Sequence, residues 1–165
     1  MFLWFIGTVV LAVWWVFRDP GFDYRSLVLG ALLPLVDLVL GPALGGVLVF
    51  HSIVGAVVIL GVVMGVTRGR RVVRKSALGV PIGVLVHLVM TAAWRRTSVF
   101  WWPVAGLGAD GSSHPVVERG WWNVLLELVG LVSCLWIVRR ADLIDPARRS
   151  VFRRTGRLDF TEPGG

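Results

Sequence analysis

Apolar residues dominate five stretches of this chain, 2–17, 27–40, 47–66, 77–94 and 121–138, and polar or basic segments separate them. A helix that spans a bilayer needs about 20 apolar residues, within a range of roughly 17–25. Stretch 47–66 meets that length easily, 77–94 and 121–138 meet it narrowly, and 2–17 does so if Met1 sits at the interface. Stretch 27–40 is short, which predicts a partial span or a re-entrant helix sheltered by its neighbours. The pattern predicts an all-α, polytopic helical membrane bundle over residues 1–140, with four or five hydrophobic helices. A short basic tail, 141–165, follows it.

Helix breakers refine this outline. Gly41-Pro42-Ala43-Leu44-Gly45-Gly46 predicts a tight hairpin between the second and third stretches. Pro34 and Pro81 fall inside helical stretches and predict kinks, tolerable where neighbouring helices satisfy the freed carbonyls. The spacings Gly61/Gly65 and Gly79/Gly83 would let helix backbones approach closely. Stretch 2–17 lacks the basic leading region of a secretion signal, and Arg18-Asp19-Pro20 stands where a small-residue cleavage site belongs, so it reads as a retained helix. In the tail, Asp145-Pro146 pairs a helix cap with a proline suited to the first helical position. It predicts a short basic helix over 146–155 lying on an anionic leaflet, with a solvated tail as the alternative.

Composition agrees with the pattern. Hydrophobic residues make up 56% of the 165 and charged residues 16%, against about 25% charged in a soluble domain; mean hydropathy is +0.76. The net charge of +7 raises nucleic acid as a partner, but the distribution of charge excludes it. Arg68, Arg70, Arg71, Arg74 and Lys75 share one turn, seven arginines from Arg139 to Arg157 lie at the C-terminal end, and Arg18 and Arg25 share the first loop. Only Arg95, Arg96 and Arg119 remain, on the long loop 95–120. With the N-terminus outside and five spans, the first three groups are cytoplasmic, as the positive-inside bias demands. The partners predicted are membrane lipids, with anionic lipid at the basic tail; oligomeric state is left open. Trp94, Trp101, Trp102, Trp121 and Trp122 flank the long loop, as interfacial anchors or as a lid over a pocket. The lone Cys134, mid-helix, reads as a small packing residue.

Four ionisable residues interrupt the apolar stretches: Asp37, His51, His87 and Glu127. An acid at the centre of a membrane helix costs about 2.5–3.5 kcal/mol even on lenient scales, so such residues mark function by default. Counting about 1.5 Å per residue from the ends of their stretches, all four fall in the outer half of the bundle. Two imidazoles with one or two carboxylates suit a divalent metal such as zinc, which in catalytic sites keeps a position open for water. Asp37, His51, His87 and Glu127 are the candidate ligands. Either Asp37 or Glu127 would act as catalytic base instead, and Ser52 would orient His51 or touch substrate. The competing possibility is a set of hydrogen-bonded pairs that only fix helix register.

The residues also carry a resemblance. Gly30-Ala31-Leu32-Leu33-Pro34-Leu35-Val36-Asp37, Phe50-His51-Ser52, Gly83-Val84-Leu85-Val86-His87-Leu88 and Phe100-Trp101-Trp102-Pro103 are similar, in order and spacing, to four elements of the bacterial membrane-bound metal-dependent hydrolases. Leu35, Gly46 and Thr91 stand where that family carries an Asp, a His and an Asp. The resemblance covers residues 27–105. It implies a metal-dependent, hydrolase-like protein of the bacterial plasma (inner) membrane, C-terminus cytoplasmic, acting on a lipid or other phosphoester near the outer leaflet. Trp101 and Trp102 would then contact substrate. The three departures favour a second expectation, a non-catalytic scaffold or interaction protein. A transporter is disfavoured, since no inverted repeat is visible.

Overall fold

The computed structural model describes residues 1–19, 21–43, 48–106 and 120–160, and every regular element among them is helical. Helix α1 covers Phe2–Phe17 and ends at Arg18 in a left-handed backbone conformation (φ 49°). Asp23 then caps α2 (Tyr24–Leu32) by accepting from the Arg25 amide at 3.1 Å, a role suited to a short acidic side chain. Pro34 cannot donate to the helical ladder, and the chain tightens there into a 3-10 turn, Leu33–Val36, before resuming as α3 (Asp37–Ala43). The three pieces are continuous, so Tyr24–Ala43 is a 20-residue apolar helix. The stretch expected to be too short is thus long enough to cross a membrane. Polar residues at its start and Gly41-Pro42-Ala43 at its end join the helix instead of breaking it. Residues 44–46, the rest of the expected hairpin, lie outside the described residues.

Stretch 47–66 departs in the opposite sense. Helix α4 is confined to Ile53–Val66, 14 residues. Ser52 caps it by accepting from the Gly55 amide at 2.9 Å, and Val49–His51 before it form a 3-10 turn. Helix α5 (Arg71–Ala77) runs almost directly into α6 (Gly79–Met90). The interruption at Leu78 falls where the ring of Pro81 meets the carbonyl four residues back, that of Ala77. A short helix, α7 (Thr97–Phe100), follows, then α8 (Trp122–Arg140) and α9 (Pro146–Thr155). Tyr24–Ala43, Arg71–Met90 and Trp122–Arg140 are long and apolar enough to cross a membrane; α1 and α4 are shorter apolar helices.

Helix α2 packs most extensively on α6, and α1 on α8, with α1 also against α2. Both main crossings are built on glycine. A Cβ on Gly83 would lie 2.6 Å from the Ala31 amide nitrogen, and one on Gly79 would lie 2.9 Å from that of Leu27. At the other crossing a Cβ on Gly7 would stand 2.8 Å from the Gly130 carbonyl. Backbone against backbone is how helices associate where lipid removes the hydrophobic drive. The Gly79/Gly83 spacing is therefore used inside the bundle, whereas Gly61 and Gly65 on α4 face open space. Val9, Val13, Leu27 and Ala31 fill the core, while Val57, Val62, Val124 and Val132 stay exposed on α4 and α8. Outward-facing apolar surface of this kind suits hydrocarbon rather than water.

The C-terminal residues belong to the same packed unit. Asp145 caps α9 through the Ala147 amide at 3.1 Å, as its sequence predicts. Gly156 ends the helix at φ 70°, and its carbonyl accepts from the Tyr24 amide at 2.8 Å. Leu158 is buried and the Phe160 ring lies 4.7 Å from that of Trp14. Gly156, Leu158 and Phe160 thus pack against α1 and the start of α2, whereas α9 itself has no buried residue.

Candidate functional site

Asp37 begins α3 just after the proline-induced 3-10 turn, which directs it inward; it is 1% exposed. Its Oδ2 accepts three hydrogen bonds: from the Phe50 amide at 2.9 Å, the His51 amide at 3.1 Å and the His51 Nδ1 at 2.9 Å. One carboxylate oxygen therefore both holds the turn that precedes α4 and fixes the imidazole on that turn. Oδ1, also buried, accepts no hydrogen bond among the described residues.

His87 reaches the same place from α6. Its Nδ1 donates to the Ala31 carbonyl on α2 at 2.6 Å. Its ring stacks on Phe5 of α1, centroids 4.0 Å apart, and meets the His51 ring edge-on at 5.2 Å. Both imidazoles are fully buried. Nδ1 of each ring is thus engaged by an acceptor on another element. Asp37, His51 and His87 thus form one cluster, joined by α2, α3, the Val49–His51 turn and α6 and closed on one side by α1.

Glu127 is not part of this network. Its carboxylate accepts from the Leu3 amide at 3.1 Å and the Trp4 amide at 3.4 Å and lies 3.6 Å from the Met1 ammonium. The reason is local: α1 starts without a capping side chain, and a carboxylate satisfies first-turn N–H groups and complements the helix dipole. The agreement in depth that grouped Glu127 with the others reflects the level at which α1 begins. Ser52 is also committed elsewhere, since its hydroxyl caps α4 and donates to the Val49 carbonyl at 2.8 Å. Trp101 is half exposed and Trp102 half-buried; they follow α7, which packs against the His51 turn.

No family model, curated protein or solved structure matches this chain. The likeness to membrane-bound metal-dependent hydrolases therefore stands on the quoted residues alone. Two of the departures from that pattern are visible here. Leu35 is buried as an apolar residue, and Thr91 donates back to the His87 carbonyl at 2.8 Å. Neither adds a donor to the cluster, and Gly46 lies outside the described residues.

The donor set can be weighed against a metal. Among the described residues no group of three or more His, Cys, Asp and Glu is spaced to hold an ion. What the cluster holds is two imidazoles and the Asp37 carboxylate. In chemistry that set fits a divalent ion: metal-bound histidines characteristically donate their other ring N–H to a carboxylate or a backbone carbonyl. Both halves of that pattern are present, Asp37 for His51 and the Ala31 carbonyl for His87.

A second polar centre, unforeseen from the sequence, lies at the other end of the long helix, about 20 Å from Asp37 at about 1.5 Å per residue. Asp23 accepts from the Arg25 amide and guanidinium at 3.1–3.2 Å and from the Ser76 hydroxyl. Burial raises the Asp23 carboxyl, but hydrogen bonds from Arg25 and Ser76 outweigh it and hold the group below the ordinary 3.8. Asp19 is lowered chiefly by its bond to Lys75, at 3.0 Å. The cap pattern of Asp23 before an apolar run was the available signal for this centre.

Proposed function

We propose that the protein is a divalent-metal-dependent, hydrolase-like membrane protein in which His51 and His87 bind the ion through Nε2 and Asp37 positions His51. The observation that carries this reading is the pinning of both imidazoles through Nδ1. It presets the ring orientations, as a carboxylate or backbone carbonyl does for a metal-bound histidine. Asp37 serves this pair by orienting His51, and Glu127, engaged at the start of α1, is withdrawn from the ligand set. When bound, such an ion lowers the pKa of a water to about 7 and polarises a phosphoester oxygen. The chain supplies orientation through Asp37 and the Ala31 carbonyl, while Phe5 shields the His87 ring from water. Trp101 and Trp102, which follow α7, are the candidate substrate contacts.

A lipid or other phosphoester is the favoured substrate, from the resemblance and from depth. The positive-inside bias makes the end carrying Arg71, Lys75 and the C-terminal arginines cytoplasmic, so the cluster falls toward the outer leaflet of a five-span bundle in the bacterial plasma membrane. A membrane-impermeant thiol reagent added to intact cells should label Gly120→Cys and spare Arg149→Cys, in Cys134→Ser background. Labelling of Arg149→Cys alone would invert the orientation.

One observation favours a non-catalytic scaffold instead. Each hydrogen bond in the cluster also ties two elements, Asp37 to the turn before α4 and His87 to α2. Metal analysis of the purified protein separates the two. The hydrolase reading expects a stoichiometric divalent ion that His51→Ala and His87→Ala each lose. Wild-type protein without metal after zinc or manganese loading, together with lowered stability in both variants, would leave the scaffold.

A further inference from the structure

At the end of the bundle remote from the histidines, α2, α5 and α9 enclose a cavity of about 570 Å³. Arg25, Arg71, Lys75, Arg154 and Arg157 line it, against a single lining carboxylate, Asp23. That carboxylate is already answered by Arg25 and Ser76, and Lys75 is held by Asp19. Among the described residues no carboxylate lies within ion-pair distance of Arg71, Arg154 or Arg157. Three arginines thus line one cavity whose only lining carboxylate, Asp23, is engaged by other partners.

The arrangement is built rather than incidental. Arg25 donates through Nη1 to the Arg153 carbonyl, and the Tyr24 amide to the Gly156 carbonyl, so α9 is fastened to α2 at the cavity wall. The Ser76 hydroxyl fastens α5 to Asp23 in turn. Holding like charges together costs free energy unless something offsets it, and planar guanidinium groups match phosphate oxygens bidentately. The volume lies within the roughly 300–1,000 Å³ of small-molecule sites. Val72, 86% exposed, forms part of the same wall, so cationic and apolar surface adjoin, as a lipid phosphate with its acyl chains requires.

We propose that this cavity binds a phosphate monoester through Arg71, Arg154 and Arg157, most readily the headgroup of a membrane lipid. It is independent of the histidine cluster. It replaces diffuse attraction of a basic tail to an anionic leaflet by one defined site.

The test uses the full chain in nanodiscs of phosphatidylcholine alone, with phosphatidic acid, or with phosphatidylglycerol at matched charge. A parallel detergent sample is titrated with glycerol 3-phosphate. Thermal unfolding and native mass spectrometry read binding. Wild type should retain phosphatidic acid in preference to phosphatidylglycerol. Arg71→Gln and Arg154→Gln should each weaken that binding by roughly tenfold. Arg149→Gln, which removes an arginine that does not line the cavity, should not. Saturable binding of glycerol 3-phosphate with the same variant pattern would identify a soluble phosphoester as the source and still support the site. Equal losses in all three variants, or equal retention of the two anionic lipids together with no saturable binding of glycerol 3-phosphate, would overturn it.

Discussion

Removing the Asp37 side chain should be far more damaging than neutralising it. Asp37→Ala strips the acceptor from three donors at once, the part-buried Phe50 amide and the buried His51 amide and His51 Nδ1. A buried donor left without a partner costs about 1–3 kcal/mol. Water has little room to substitute at a site where Asp37 is 1% exposed and His51 fully buried, so the two fully buried donors set an expected loss of about 2–6 kcal/mol, a large part of the 5–15 kcal/mol typical of a folded domain. Asp37→Asn keeps an oxygen where Oδ2 stands and gives up only charge assistance, about 1 kcal/mol per bond and about 1–3 kcal/mol in all. Denaturant unfolding of the detergent-solubilised protein, with chelator present so that no metal contributes, reads both values. Amide hydrogen exchange over residues 49–56 should accelerate in the alanine variant before other regions do. An alanine variant within about 1 kcal/mol of wild type, or an asparagine variant as damaged as alanine, would refute the reasoning.

At the α2–α6 crossing, Gly83→Leu should abolish recovery of monodisperse protein by size exclusion. Gly61→Leu, whose Cβ meets nothing within 4 Å, should leave recovery unchanged. Gly156→Ala places a side chain at φ 70° and drives its Cβ against the Asp23 carboxylate. The backbone term alone is about 1–2 kcal/mol, and trypsin should then cut at Arg153, Arg154 or Arg157 faster than in wild type. Asp23, lowered in the fold, contributes stability that is complete above its unfolded value of about 3.8 and is lost as pH falls through the lower folded value. Docking of the C-terminal residues, followed by tryptophan fluorescence, should therefore weaken in acid, and Asp23→Asn should remove that dependence.

The helical, apolar character of the fold is legible because it resides in composition over long windows, where single residues hardly matter. Boundaries are less so. Stretch 47–66 reads as the best span and yields a 14-residue helix because Asp37, thirteen residues away, takes the Phe50 and His51 amides. A long-range acceptor of that kind leaves no periodic trace. The cluster is legible in part: Asp37, His51 and His87 each stand out as ionisable groups in apolar surroundings, and they do meet. Glu127 stands out by the same rule but answers a helix start that the sequence leaves uncapped. Depth alone could not separate a member of the cluster from a cap. The partners that orient the histidines, the Ala31 carbonyl and the Phe5 ring, carry no chemical signature in sequence at all.

The bond between Asp37 and the turn at residues 49–51 also bears on how the chain enters a bilayer. Asp37 leaves the ribosome before any of its donors, and a bare carboxylate in hydrocarbon carries a penalty of about 2.5–3.5 kcal/mol. All three donors arrive within the next fourteen residues. Helices Tyr24–Ala43 and α4 are then expected to enter as a closed hairpin, the acid already capped, rather than one after the other. A ribosome-stalled chain ending between the two should hold its first two helices in the bilayer poorly, and one extended past His51 should hold them firmly.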